Sequence, residues 1–234
     1  MNWKVKFEGF WTSLVYKGAY KDVLLGLKNT GILAVGGLII GVIIGTIIAV
    51  IKVVPKNNKI LRVLDKIATV YVAFFRGSPM VVQLLLGHFV LFPLLGIKVD
   101  PVVTGTIIFG LNSGAYVSEI MRSGILSVDH GQMEAGRALG FTYGTTMMKI
   151  VVPQAVKNIL PTIGNEFISL VKETSVVSFI SVSDLSKAFR SIASANYEYM
   201  VPYLAMAVIY IVIVAVISLL IKLMEKRLRA SDKR

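Results

Sequence analysis

Apolar residues run along this chain in blocks long enough to cross a bilayer, separated by short polar segments that carry most of the charge. About 20 apolar residues span a hydrocarbon core of about 30 Å, and four segments meet that need. NTGILAVGGLIIGVIIGTIIAVI (Asn29–Ile51) is free of charge, as is GSPMVVQLLLGHFVLFPLLGI (Gly77–Ile97), whose helix should begin at Pro79 because proline suits the first helical position. PVVTGTIIFGLNSGAYVS opens at Pro101 and continues toward Arg122, and YMVPYLAMAVIYIVIVAVISLLI fills Tyr199–Ile221. A fifth block, Ile159–Val182, has the length but contains Glu166, Lys172 and Glu173. Ionisable groups at membrane depth face protein or water and mark pathways. The pattern therefore predicts an all-α membrane protein with five transmembrane helices, at about 24–51, 79–97, 101–126, 157–182 and 199–223, within one domain over 23–228.

Three other segments read as helices that do not cross. In residues 1–22, Trp3, Phe7, Phe10, Trp11 and Leu14 recur at helical spacing among scattered charges, which predicts a helix in the headgroup region with its aromatics toward the acyl chains and argues against a cleaved signal peptide. KNNKILRVLDKIATVYVAFFR puts Arg62, Asp65, Lys66 and Thr69 on one face and Leu61, Leu64, Ile67, Val70 and Phe74 on another, so it should lie along the interface until RGSP breaks it. Between the third and fourth spans, 129–153 reads as a hairpin of two short helices. Asp129 caps the first, Gly140 ends it, and Pro153 stops the second.

Composition narrows the class. Of the 234 residues 55% are apolar, 16% are charged, and mean hydropathy is +0.74, outside the range of a soluble domain. There is no cysteine, and His88 and His130 are the only histidines, which leaves no set of metal ligands. The net charge of +12 is spread over the ends of apolar runs with no aromatic-interleaved patch, so nucleic acid is not implied. With the C-terminus inside, 16 of the 25 Lys and Arg fall on the cytoplasmic side. The positive-inside rule then gives N-terminus out, C-terminus in, with a basic cytoplasmic tail at 229–234.

The order of features around the hairpin is specific. Glu134-Ala135-Gly136, then Gly140, then Ile150, Val152 and Pro153 resembles the EAA coupling loop of ABC-importer permeases, with Gly136 where the family usually has Ala. FFRGSP, NSGAYVSEIMRSGILSVDHGQMEA, VVPQA and LPTIGNEFISLVKETSVVSFISV extend the likeness to the polar amino-acid uptake branch of that family, of histidine, arginine and glutamine type. The resemblance implies the type I importer permease fold in a prokaryotic cytoplasmic (inner) membrane. It implies a transport subunit, not an enzyme, that binds no cofactor. Two ABC ATPase subunits would use the ATP and magnesium and clamp the hairpins through Glu134, Ala135, Gly136, Arg137 and Gly140. A second permease subunit, identical or related, and an extracytoplasmic amino-acid-binding protein complete the expected assembly. Independently, the chain has no Gly-Lys dipeptide, so a G-x-x-x-x-G-K-[ST] phosphate loop is impossible.

Transporters commonly hold solute near the midplane. Candidate contacts at that depth are Gln83 from the second span, Asn112, Ser113, Tyr116 and Glu119 from the third, and Asn165, Glu166, Ser169, Lys172 and Glu173 from the fourth. Donors and acceptors together suit a free amino acid, and surplus carboxylates such as Glu119 and Glu166 suit a cationic side chain. Each has a structural alternative. Lys172 and Glu173 equally suit an ion pair with a neighbouring helix, Asn112 and Ser113 suit interhelical hydrogen bonding, Glu119 with Arg122 suits a cytoplasmic-end ion pair, and His88 reads as packed. An ion-gradient-driven secondary transporter, or a channel subunit, is the alternative function class.

Overall fold

The computed structural model describes residues 3–230, with side chains to 228, so most of the expected tail at 229–234 lies outside the described residues. Every regular element among them is helical. In chain order they are α1 (Trp3–Trp11), α2 (Tyr20–Val53), α3 (Lys59–Gly77), α4 (Met80–Leu86), α5 (Phe92–Leu94), α6 (Pro101–Leu126), α7 (His130–Ala138), α8 (Tyr143–Thr146), α9 (Val152–Glu173), α10 (Leu185–Asn196) and α11 (Met200–Ala230). Wider π turns at Gly87–Leu91 and Met147–Val151 carry α4 into α5 and α8 into α9.

Two of these helices are by themselves long and apolar enough to cross a membrane, α2 and the Met200–Leu228 part of α11. A third candidate is the pair formed by Lys59–Gly77 and Met80–Leu94, bent by 110° where they meet. At 26 and 22 residues, α6 and α9 reach about 39 and 33 Å, but polar side chains such as Asn112, Glu119, Asn165 and Lys172 dilute their apolar character.

The centre of the molecule is the parallel seam of α2 and α6. Gly37, Gly41 and Gly45 of α2 lie against Phe109, Ser113 and Val117, and a Cβ added to any of them would come within 2.9 Å of the facing side chain. Gly110 and Gly114 of α6 receive Ile40 and Ile44 in the same way. Close approach of this kind replaces the hydrophobic effect as the source of helix association in lipid. Around the seam, Leu33, Leu84, Phe109, Leu170, Val177 and Ile180 form the main buried cluster.

At the end of the bundle away from the hairpin, the chain is tied by polar contacts. Asn29 Nδ2 donates to the Ser183 carbonyl at 2.8 Å, and Asp184, fully buried, caps α10 by accepting from the Ser186 and Lys187 amides. Of the aromatics expected to face acyl chains, Trp3, Phe7 and Trp11 form an exposed stripe, with Phe7 and Trp11 stacked at 6.3 Å. Phe10 and Leu14 instead join a cluster with Leu185, Phe189, Ile192 and Val201. Phe10 sits beside the exposed stripe, three residues from Phe7 and next to Trp11, so α1 meets the protein along one edge and leaves the adjoining edge exposed.

The sequence reading laid α3 wholly along the interface, and its C-terminal half departs from that. Ala68 and Val72 are buried with Ile48 and Ala115, and the Tyr71 hydroxyl donates to the Leu111 carbonyl in the middle of α6. The face turned to the seam combines the short side chains of Ala68 and Val72 with Tyr71 and Phe75, so this half of the helix packs against the bundle and is tied to it by a hydrogen bond.

Candidate functional site

One turn of α6 collects three other elements. Asn112 Nδ2 donates to Gln83 Oε1 at 2.9 Å and to the Phe75 carbonyl at 3.2 Å. Gln83 Nε2 donates in turn to the Phe75 carbonyl and to Ser78. Proline at 79 stops α3 from continuing, which leaves its last carbonyls without helical partners; the two amides supply them. Gln83 and Asn112 therefore hold the bend between α3 and α4, and both are buried. Ser113, the next residue, donates to Glu166 Oε1 at 2.9 Å and brings α9 onto the same turn. Tyr116 lies under the Arg76 guanidinium, 5.5 Å from the ring centroid.

On α9 the exposed face is polar along its length. Asn158, Thr162, Asn165, Ser169 and Lys172 follow one another at separations of four and three, which places them on one stripe. Asn165 and Lys172 are exposed, and Ser169 is half-buried and donates to the Asn165 carbonyl at 3.2 Å. Glu166 and Glu173 flank the stripe, half-buried. Lys172 also borders a lateral depression of about 590 Å³ formed with Ser175, Ser186 and Tyr210. Asn165, Glu166 and Ser169 thus lie along the polar side of α9, with Ser113 of α6 fully buried behind Glu166 and Tyr116 one turn further along α6.

Glu119 stands apart from them. Its two oxygens are taken by Lys52 Nζ at 3.1 Å and by Arg122 at 2.9 Å, forming a three-charge cluster between the end of α2 and the last turns of α6. The pairing with Arg122 was one of the two sequence readings of Glu119; Lys52, 67 residues away, was not foreseen. His88 approaches Thr104 Oγ1 at 3.5 Å within a cavity of about 640 Å³ bounded by Phe92, Gly96, Lys98 and Asp100. Arg76, which sequence reasoning counted with the cytoplasmic cations, is placed instead against Tyr116 on α6. The only available signal was its place between an aromatic pair and the Gly-Ser-Pro break.

The hairpin is closed by local backbone chemistry. Asp129 accepts from the Gly131 amide at 2.6 Å and starts α7. At its end the Gly140 amide bonds the Arg137 carbonyl and the Phe141 amide bonds the Gly136 carbonyl, with Gly140 at φ +85°. This is the Schellman arrangement, whose left-handed residue favours glycine. Thr142 caps α8, accepting from the Thr145 amide. Gly136 is buried against Thr146, whereas Glu134, Ala135, Arg137 and Gly140 are exposed beside Leu139, Phe141 and Met148. The hairpin joins the bundle through Tyr143, which donates to the Val53 carbonyl, and Asn158 donating to Ser127 ties the two helices that flank it.

Comparison with known proteins agrees in extent and in fold. Residues 37–230 match the family described as binding-protein-dependent transport system inner membrane component. The chain is 39% identical over 211 residues to a protein named putative glutamine transport system permease protein GlnP of Rickettsia bellii, covering 90% of this chain and 93% of the relative. It is 38% identical over 210 residues to the arginine transport system permease protein ArtQ of Bacillus subtilis, covering 90% and 94%. It is 40% identical over 227 residues to the L-cystine transport system permease protein TcyB of the same organism, covering 97% and 91%. A crystal structure of an amino acid ABC transporter with histidines superposes with a TM-score of 0.83 at 37% identity, covering 93% of this chain and 98% of that one. With no nucleotide-binding motif, a helical body carrying an exposed hairpin, and relatives matched over nearly their whole length, the chain belongs to the family of inner membrane permease components of binding-protein-dependent ABC transport systems.

Proposed function

We propose that this permease imports polar amino acids, and that it admits cationic ones along the polar side of α9 around Glu166, which the buried Ser113 holds in place. The observation that carries the substrate reading is the Ser113–Glu166 hydrogen bond in mid-membrane, which presents a carboxylate on a polar face. The relatives named for glutamine, arginine and cystine differ in side chain and share a zwitterionic backbone. Tyr116, Asn165 and Ser169 serve as further solute contacts, with Lys172 and Glu173 at the far end of that side; Gln83 and Asn112 act by holding the α3–α4 bend, and Glu119 by pairing with Lys52 and Arg122.

In this reading there are five spans: α2, the α4–α5 segment, α6, α9 with the turn that follows it, and α11. The N-terminus is outside and the C-terminus inside, in the inner membrane of a prokaryote. The hairpin 129–153 is the EAA loop. Two ATPase subunits grip one hairpin each through Glu134, Ala135, Gly136, Arg137 and Gly140, using ATP and magnesium that this chain does not bind. A second permease subunit faces the α9 stripe, and a binding protein delivers solute from outside. Closure of the ATPase pair draws the hairpins together and tips the spans between outward-open and inward-open states.

The test is reconstitution with the cognate ATPase and binding protein, followed by ATP-dependent uptake of labelled arginine, histidine, glutamine, cystine and glutamate. Uptake of cationic amino acids, weakened at least tenfold by Glu166→Gln, supports the reading. Uptake of glutamine or glutamate that ignores Glu166→Gln removes the role of Glu166 and keeps the importer. No ATP-dependent uptake of any of them removes the amino-acid reading.

A further inference from the structure

We infer that Arg76, at the tip of α3, anchors the α-carboxylate of the transported amino acid, opposite Glu166 on the same turn of α6. The inference rests on the reading above and adds the group that every amino-acid substrate would share.

Placement comes first. The Tyr71 hydroxyl bonds the Leu111 carbonyl, and the Phe75 carbonyl accepts from Asn112 and Gln83, so the end of α3 is fixed against the middle of α6. Arg76 is the next residue, and its guanidinium rests over Tyr116. Tyr116 precedes the end of α6 at Leu126 by ten residues, which puts the cation about 15 Å inside that end of the helix. A guanidinium at such depth needs an anion or water.

Charge balance comes second. The other two cations at this end of α6, Lys52 and Arg122, already have a carboxylate partner, because they share Glu119. Arg76 takes part in none of the four ion pairs found among the described residues, and its side chain is exposed. Glu166 is held by Ser113, three residues before Tyr116, so the carboxylate and the guanidinium flank one face of α6 without pairing with each other. A cation and an anion held apart on one face match a zwitterion.

Orientation comes third. A guanidinium lying on an aromatic ring uses its face and leaves its N–H edge free. That edge is a planar fork suited to a carboxylate accepting two hydrogen bonds. Lysine in the same place would supply charge without the fork. Arg76 then contributes equally to all α-amino acids, and discrimination among side chains falls to the rest of the face.

The test uses the purified permease–ATPase complex without binding protein, so that the permease's own preference is read. Equilibrium binding of labelled arginine is compared with that of agmatine, which is arginine without its carboxylate; if uptake selects glutamine, the pair is glutamine and 4-aminobutanamide. Arg76→Gln should weaken binding of the amino acid by about 10- to 100-fold, the range for a hydrogen bond to a charged group, and leave the amine within twofold. Arg76→Lys should recover only part of the loss. Tyr116→Leu, which removes the ring beneath the guanidinium, should weaken the amino acid more than the amine, while Tyr116→Phe should not. An equal loss for both ligands in Arg76→Gln, or no loss for either, overturns the assignment to the carboxylate. A wild type that transports no amino acid overturns it together with the function it rests on, whereas uptake that survives Arg76→Gln undiminished overturns this inference alone.

Discussion

An alanine at position 136 would place its Cβ 2.4 Å from Thr146 Cγ2. Thr146 is fully buried and its hydroxyl is engaged with the Thr142 carbonyl, so it has no low-cost way to turn aside. The glycine that interrupts the usual Glu-Ala-Ala run is therefore matched to a β-branched neighbour ten residues on, a pairing the hairpin's sequence does not announce. Gly136→Ala should destabilise the hairpin by about 1–3 kcal/mol, read as a lower Tm and weaker retention of the ATPase. Thr146→Ser in the same chain, which deletes the clashing methyl, should restore most of the loss; no restoration would mean that the methyl is not the obstacle. Across the molecule, Glu198 is held below the usual carboxylate range by the hydrogen bond from Lys6 at 2.6 Å. A carboxylate depressed on folding contributes above its unfolded value of about 4.3, and the contribution is lost as pH falls through the lower folded value. The tether of α1 should thus be constant from pH 8 to about 5 and weaken below about 4. Trp3 and Trp11 are the chain's only tryptophans, so emission excited selectively at tryptophan, away from the tyrosine absorption, reports on α1 alone. A shift centred above pH 6, or an acid shift that persists in Lys6→Gln, would count against the tether.

At the scale of elements, the bend between α3 and α4 depends on two amides rather than on packing. Replacing Gln83 or Asn112 by leucine leaves the Phe75 carbonyl with one donor fewer in a buried setting, at a cost of about 1–3 kcal/mol each. Because the amides also bond each other, the double substitution should cost less than the sum of the single ones. Thermal unfolding in detergent measures this, and strict additivity would dissolve the network. The same two residues show how far the sequence could be read. Hydrophobic runs locate helices because a bilayer demands them, and Pro79 marks a break on covalent grounds. A polar side chain at depth announces only that it needs a partner. Whether that partner is solute or protein is decided by contacts 29 to 67 residues away, such as Asn112 with Gln83 and Glu119 with Lys52. The near pairing of Glu119 with Arg122 was legible from its three-residue spacing. The depth of Arg76 was not, since it is set by Tyr71 reaching a carbonyl on another helix.

Over the whole molecule, the hairpin and the α1–α10 end occupy opposite extremes, and the proposed orientation assigns them to opposite compartments. The chain has no cysteine, so single cysteines report without background. Tyr197 and Leu139 are 86% and 76% exposed, one at each extreme. A membrane-impermeant maleimide should label Tyr197→Cys in intact spheroplasts and Leu139→Cys only in inverted vesicles; the reverse pattern would turn the topology over. The seam of α2 and α6 also limits how such a body can move. Its glycines alternate between the two helices, each filled by a side chain from the other, and a slide of one residue would shift every knob by about 1.5 Å and 100° onto a ridge. The next matching register is four residues away, so no second resting place lies close by. The two helices therefore serve as the chassis, and the play needed to open one side and shut the other is left to the elbow at Ser78–Pro79 and to the face of α9.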